Sequence, residues 1–121
     1  MERQSLTEIA KKVLQTCLGA KAGEHVLVVT DDTRMTIGQG IYKAASELGC
    51  QAVLMQMPPR KVSGEEPPDM IAHAMKEADI VICPTEKSLT HTKARIAAVK
   101  NCARVATMPG ITEEMFYQGA I

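Results

Sequence analysis

Apolar residues recur along this chain in two alternating rhythms, one spaced three and four apart, the other in short unbroken runs. Leu6, Ile9, Ala10, Val13, Leu14, Cys17 and Leu18 fall on one face of a helical period and predict a helix over Ser5–Leu18. Ser5 and Glu8 stand at the spacing of a capping box, in which each side chain satisfies the other residue's free amide. Gly19 then stops the helix. His25–Thr30, HVLVVT, is a β-branched run with no polar alternation, which predicts a strand buried on both faces.

The rhythms repeat. Ile37, Ile41, Ala44, Ala45 and Leu48 mark a second helix, stopped by Gly49, and Ala52–Gln56 reads as a second strand. Met57–Pro68, MPPRKVSGEEPP, is too rich in proline for regular structure. It predicts a long loop, of the kind that serves as a lid, an interface arm or a solvated spacer. Pro68 is placed in the first turn of a third helix with Ile71, Ala74, Met75 and Ala78 facing inward. Asp79–Cys83 predicts a third strand, Thr90–Lys100 a helix, and Ala103–Thr107 a fourth strand. After a Pro109–Gly110 turn, Thr112 caps a last helix. Ile111 and Phe116 have the spacing of a hydrophobic staple across that cap, and Glu113 and Glu114 meet the positive end of the helix dipole.

Strands separated by single helices call for parallel pairing through right-handed crossovers. The fold class is therefore α/β: a three-layer, Rossmann-like domain with a four-stranded, mainly parallel sheet and flanking helices. No linker or low-complexity tract interrupts it, so residues 1–121 are read as a single α/β domain.

Composition narrows the function classes. Lys and Arg number 14 and Asp and Glu number 14, so net charge gives no reason to expect nucleic acid or an acidic membrane surface as partner. Tyr42, Phe116 and Tyr117 are the whole aromatic complement, too few for base stacking. No apolar run is long enough to cross a membrane, and no basic-then-apolar leader opens the sequence, so a cytoplasmic location is expected. Cys17, Cys50, Cys83 and Cys102 lack CxxC spacing and are expected to be small buried hydrophobes in a reducing compartment. His25, His73 and His91 are far apart, so no metal site is expected within the chain. The eight methionines are read as core filler.

Candidate chemistry gathers at the predicted carboxyl ends of the strands, where ligands bind in sheets of this kind. Asp31 and Arg34 follow the first strand. Thr85, Ser88, Thr90, His91 and Lys93 follow the third, crowding hydroxyls, an imidazole and an ammonium at a helix N-terminus that suits an anion. The plainer alternative is that Ser88 or Thr90 caps the helix while the lysines face water. His91 could be a general base, or a hydrogen-bonded residue of the first helical turn. Asp31 and Asp32 could be an acid–base pair, or a turn and cap. Gly38-Gln39-Gly40 looks like part of a dinucleotide fingerprint but comes too late after the strand and lacks its third glycine. No residue is assigned as catalytic, and these seven form a candidate cleft.

Four stretches go further than spacing. GEHVLVVTD (Gly23–Asp31), PPRKVSGEEPP (Pro58–Pro68), ADIVICPTEKSLTHTKAR (Ala78–Arg95) and ARVATMPGITEEMF (Ala103–Phe116) resemble the N-terminal domain of the aminopeptidase T/aminopeptidase S, or leucyl aminopeptidase, type of metalloaminopeptidase. The resemblance implies a longer two-domain enzyme that removes N-terminal residues from peptides. Its zinc or cobalt ions would be held by a C-terminal metal-binding domain of the same polypeptide, and the full-length protein would be a homodimer. No metal ligand can be placed in the present chain, which is expected to be inactive alone and to serve as a structural, cavity-forming domain. Its end at Ile121 is read as a domain boundary. The same architecture occurs in an iron-dependent dioxygenase that opens a dihydroxypyridine ring. A stand-alone module binding a small anion is the reading from another class.

Overall fold

The computed structural model describes residues 5–117. Its elements run α1 (Leu6–Lys12), a π-helical turn (Val13–Cys17), β1 (His25–Asp31), α2 (Met35–Glu47), β2 (Gln51–Met57), α3 (Asp69–Glu77), β3 (Ile80–Thr85), α4 (Lys93–Lys100), β4 (Arg104–Pro109) and α5 (Glu113–Tyr117). The four strands form one sheet in the order β2-β1-β3-β4, with every neighbouring pair parallel. Among the described residues no helix is long and apolar enough to cross a membrane.

Side chains of the central strands divide between two cores, because successive residues of a strand point to opposite faces. Val26, Val28, Ile80 and Ile82 pack with Leu14 of the π turn, Ile37, Ile41, Ala44 and Ala45 of α2, and Phe116 of α5. Leu27, Val29, Val81 and Cys83 pack with Ile71 and Met75 of α3 and Ala94 and Ala98 of α4. The sheet is thus the middle of three layers. The helix layer changes face when the chain reverses its direction across the sheet, from β1→β2 to β2→β3→β4, as crossovers of one constant hand require.

The opening helix begins as its sequence implies, with the Ser5 hydroxyl accepting the Glu8 amide at 3.1 Å. It ends differently. The last turn widens into a π turn, closed by the Ala20 amide on the Leu14 carbonyl at 2.9 Å. Arg104 of β4 donates from Nη1 to the carbonyls of Leu18 and Gly19 at 2.8 and 3.1 Å, and also pairs with Glu24. Pro68 is the residue before α3, in extended conformation, rather than part of its first turn. The Ile111–Phe116 staple forms, with both side chains buried and Met115 N–H bonded to the Thr112 hydroxyl at 3.1 Å.

Only two of the four cysteines are the buried hydrophobes expected. Cys50 and Cys83 are buried, while Cys17 and Cys102 are exposed. Burial pushes the Cys83 thiol up to about 12, which keeps it uncharged and inert at neutral pH. Cys17 lies on the outer side of the π turn, and Cys102 occupies the turn leaving α4 with φ of 73°. That left-handed backbone is glycine's ordinary place at a helix end and costs any other side chain energy. Cys102→Gly is expected to stabilise the protein by about 0.5–1 kcal/mol, measured as a rise in denaturation midpoint with unchanged denaturant slope.

Candidate functional site

The carboxyl edge of the sheet is shaped by a parting of its two central strands. β1 and β3 are in register from Val26↔Ile80 to Val28↔Ile82 and no further, whereas β3 and β4 stay paired to Thr85↔Pro109. Pro84 sits at the parting. It has no N–H to offer β1, and its carbonyl lies 3.0 Å from the Thr30 hydroxyl, which also lies 3.1 Å from the Arg34 carbonyl. This is the point where the strand order reverses, the expected location of a ligand crevice in an open α/β sheet.

Asp31 ends β1 at the parting. Its carboxylate is fully buried and accepts from the Thr33 amide (2.9 Å), the Thr33 hydroxyl (2.6 Å) and, across the parting, the Glu86 amide (2.8 Å). With all three donors fixed by the backbone or a neighbouring turn, Asp31 is a tie between the β1 and β3 loops. Asp32 points elsewhere and accepts from Gln56 at 2.5 Å. Of the two readings of the Asp31–Asp32 pair, the geometry matches the turn. Thr85 is likewise buried and spends its hydroxyl on the Lys87 carbonyl at 2.7 Å.

Beyond the crevice the remaining candidates separate. Arg34 opens α2 on the face shared with α5, while Ser88, Thr90, His91 and Lys93 lead into α4 on the opposite face. Ser88 and Thr90 join hydroxyl to hydroxyl at 2.8 Å, and Thr90 continues to the Thr107 hydroxyl of β4 at 2.7 Å. Neither caps α4. That role belongs to Thr92, fully buried, which accepts the Arg95 amide at 3.1 Å and donates to Leu89 at 2.7 Å. His91 is exposed in the turn ahead of α4, two residues before its first helical residue, Lys93, and so outside the first helical turn.

The N-terminus of α4 already holds an anion, and it comes from the chain itself. Glu66 of the proline-rich loop accepts the Lys93 and Ala94 amides at 2.7 and 3.1 Å. The loop is laced to the β3–α4 turn by Gly64 N–H on the Ser88 carbonyl (2.9 Å) and Ser88 N–H on the Ser63 hydroxyl (3.3 Å). Sequence reasoning missed Glu66, since a cap delivered from 27 positions away leaves no local pattern. Glu66→Ala is expected to cost about 1 kcal/mol. It should raise amide hydrogen exchange at Lys93 and Ala94 far more than in β1.

The Gly38-Gln39-Gly40 run serves packing. A Cβ on Gly38 would lie 2.9 Å from the Thr30 Cβ, and one on Gly40 would overlap the Leu6 side chain. Both glycines let α2 approach its neighbours, and neither cradles a phosphate. Among the described residues no three His, Cys, Asp or Glu side chains converge to hold a metal ion.

The architecture is shared with solved proteins. A 2,5-dihydroxypyridine dioxygenase from Pseudomonas putida KT2440 superposes with a TM-score of 0.72 at 15% identity, over 86% of this chain and 33% of that one. A fatty acid ABC transporter substrate-binding protein from Thermomonospora curvata gives 0.65 at 12% identity, over 95% and 31%. AmpT from Thermus thermophilus gives 0.52 at 13% identity, over 94% and 41%. At these identities the likeness shows the α/β fold, and the chain spans about a third of the length of the first two and 41% of AmpT. No protein-family profile matches the sequence, and no curated protein does.

Proposed function

We propose that this chain is the N-terminal α/β domain of a metal-dependent aminopeptidase and walls one side of its substrate cavity. One observation carries the reading. The two stretches most like that family, SLTHTKAR at Ser88–Arg95 and ATMPGITEEMF at Ala106–Phe116, are distant in sequence, yet they meet at the carboxyl edge of the sheet through the Thr90–Thr107 contact of 2.7 Å. The hydroxyls of Ser88, Thr90 and Thr107 and the exposed imidazole of His91 then face a peptide substrate, as donors and acceptors for its backbone. Among the described residues no set of His, Cys, Asp or Glu side chains fits a metal centre. On this reading zinc or cobalt would be held by a C-terminal domain of a longer polypeptide, a homodimer acting in the cytoplasm, and no step of the hydrolysis is assigned to residues here.

The test compares two proteins. The 121-residue chain supplied with zinc or cobalt is expected to release nothing from a leucyl anilide, and the longer polypeptide to release the anilide's amine. In the longer protein, Thr90→Val should lower kcat/KM about tenfold, the loss of a hydrogen bond worth ~1.4 kcal/mol. Hydrolysis by the short chain alone sinks the proposal. A second reading, the N-terminal part of a ring-opening dioxygenase, is favoured by the larger TM-score, 0.72 against 0.52. Iron in the longer polypeptide, together with turnover of 2,5-dihydroxypyridine, would select it. The stand-alone anion module gains no support at Ser88–Lys93, because Glu66 occupies the amides it needs.

A further inference from the structure

The sheet ends in two edges, β2 and β4, and the sequence treats them differently. The β4 edge begins at Arg104 and ends at Pro109, a charge and a residue without an N–H, both of which discourage pairing with a further strand. The β2 edge, QAVLMQM, carries neither over its seven residues. It stays in unbroken parallel register with β1 from His25↔Gln51 to Asp31↔Met57, with no bulge to turn it aside. A regular, uncharged edge of this kind is a template for another strand.

Successive residues of a strand direct their backbone groups to opposite sides. The Gln51 amide donates to the Glu24 carbonyl at 2.8 Å, so Gln51, Val53, Met55 and Met57 turn their N–H and C=O groups toward β1. Those of Ala52, Leu54 and Gln56 point outward, and none has a partner among the described residues. The three are evenly placed about Leu54. A second copy turned through a two-fold axis at Leu54, perpendicular to the sheet, sets Leu54 against Leu54 and Ala52 against Gln56. Every outward N–H then meets an outward C=O in an antiparallel ladder. Moving the axis to Val53 would set Gln56 against Cys50, whose amide is already bonded to the Ala45 carbonyl at 3.0 Å. Moving it to Met55 would set Ala52 against Pro58, which has no N–H.

The side chains agree with that register. Val53 and Met55 lie on the α3 face of the sheet, where Val53 is 54% exposed beside an apolar groove formed with Leu27, Ala74 and Ala78. About the Leu54 axis, Val53 stands directly opposite Met55 of the second copy, in the non-hydrogen-bonded position that brings side chains closest. No charged residue lies on the strand, so the symmetry brings no like charges together.

We infer that β2 is a self-association edge, through which two copies of this chain pair antiparallel about Leu54 to make one continuous sheet. The inference concerns a lateral edge and does not rest on the aminopeptidase reading. Seven residues fall well short of the roughly 20–30 that a stable interface takes from each partner, so a dissociation constant of about 10–100 μM is expected.

Sedimentation equilibrium of the 121-residue chain should show its mass rising with concentration toward twice the monomer's. In a mixture of isotope-labelled and unlabelled protein, filtered nuclear Overhauser effects should connect the Val53 methyls of one copy to the Met55 methyl of the other. Val53→Lys should hold the chain at the monomer mass with its far-ultraviolet circular dichroism unchanged. Should that variant fail to fold, Gln56→Pro, which removes an outward N–H from an exposed position, should weaken association at least about tenfold. The inference is overturned if the chain stays monomeric up to about 1 mM, if the dimer survives both substitutions, or if the intermolecular effects fall elsewhere on the molecule. Shifts of the β2 amides on adding an uncharged extended peptide to a chain that does not self-associate would overturn it in favour of that occupant.

Discussion

Asp31→Ala should lower the unfolding free energy by about 3–5 kcal/mol, one of the two largest losses expected from any single change in this chain. The buried carboxylate joins the end of β1 to the loop after β3 through the Glu86 amide at 2.8 Å, and holds its own turn through Thr33 at 2.9 and 2.6 Å. Alanine would leave the Thr33 and Glu86 N–H donors without their side-chain acceptor. Asn is the informative companion. It keeps the shape but turns one acceptor into a donor facing an amide, so Asp31→Asn should be damaged less than alanine and still by about 1–3 kcal/mol. Denaturant titrations that put either variant within experimental error of the parent would show that the tie between the loops carries no weight.

Phe116→Ala should cost a similar amount, about 3–5 kcal/mol, by a different route. Phe116 is the largest of the fully buried side chains and belongs to the core that joins α1, α2 and the sheet. α5 has five residues, too few to persist as a free helix, so its place on the domain depends on this ring and on Ile111. Removing the ring leaves a cavity and releases the segment. Exchange of the α5 amides should approach that of an unfolded chain, while β1 and β3 stay protected until global unfolding. Retained protection in α5 would show that the hydroxyl cap of Thr112 is enough to hold it.

The layered fold was legible because its signals are local. A helical stripe at Leu6–Leu18 and unbroken apolar runs at β1 and β3 can be read within a window of a few residues, and the four parallel strands follow from their separation by single helices. Errors arose where distant parts of the molecule decide the matter. The first helix relaxes into a π turn. At the start of α4 the expected cap was Ser88 or Thr90, and Thr92 takes the role while Ser88 and Thr90 are engaged with each other and with Thr107. The third strand, read as Asp79–Cys83, runs over Ile80–Thr85. Pro84 fits there because on that part of the strand β3 is paired only with β4. The seven candidate residues lie at or just beyond the carboxyl ends of β1 and β3. Their division between two faces, with Asp31 as the strut between, depends on which way the chain leaves each strand, and side-chain identity does not encode that.

Pro84 carries one further consequence. Most openings in proteins are kept by side chains, and a substitution or two can close them. Here the opening is kept by a missing hydrogen: the residue facing β1 at the parting has no N–H with which to extend the ladder, and the Thr30 hydroxyl takes up its carbonyl instead. Rim residues other than Asp31, which ties the two loops, can therefore vary without the sheet zipping shut beneath them.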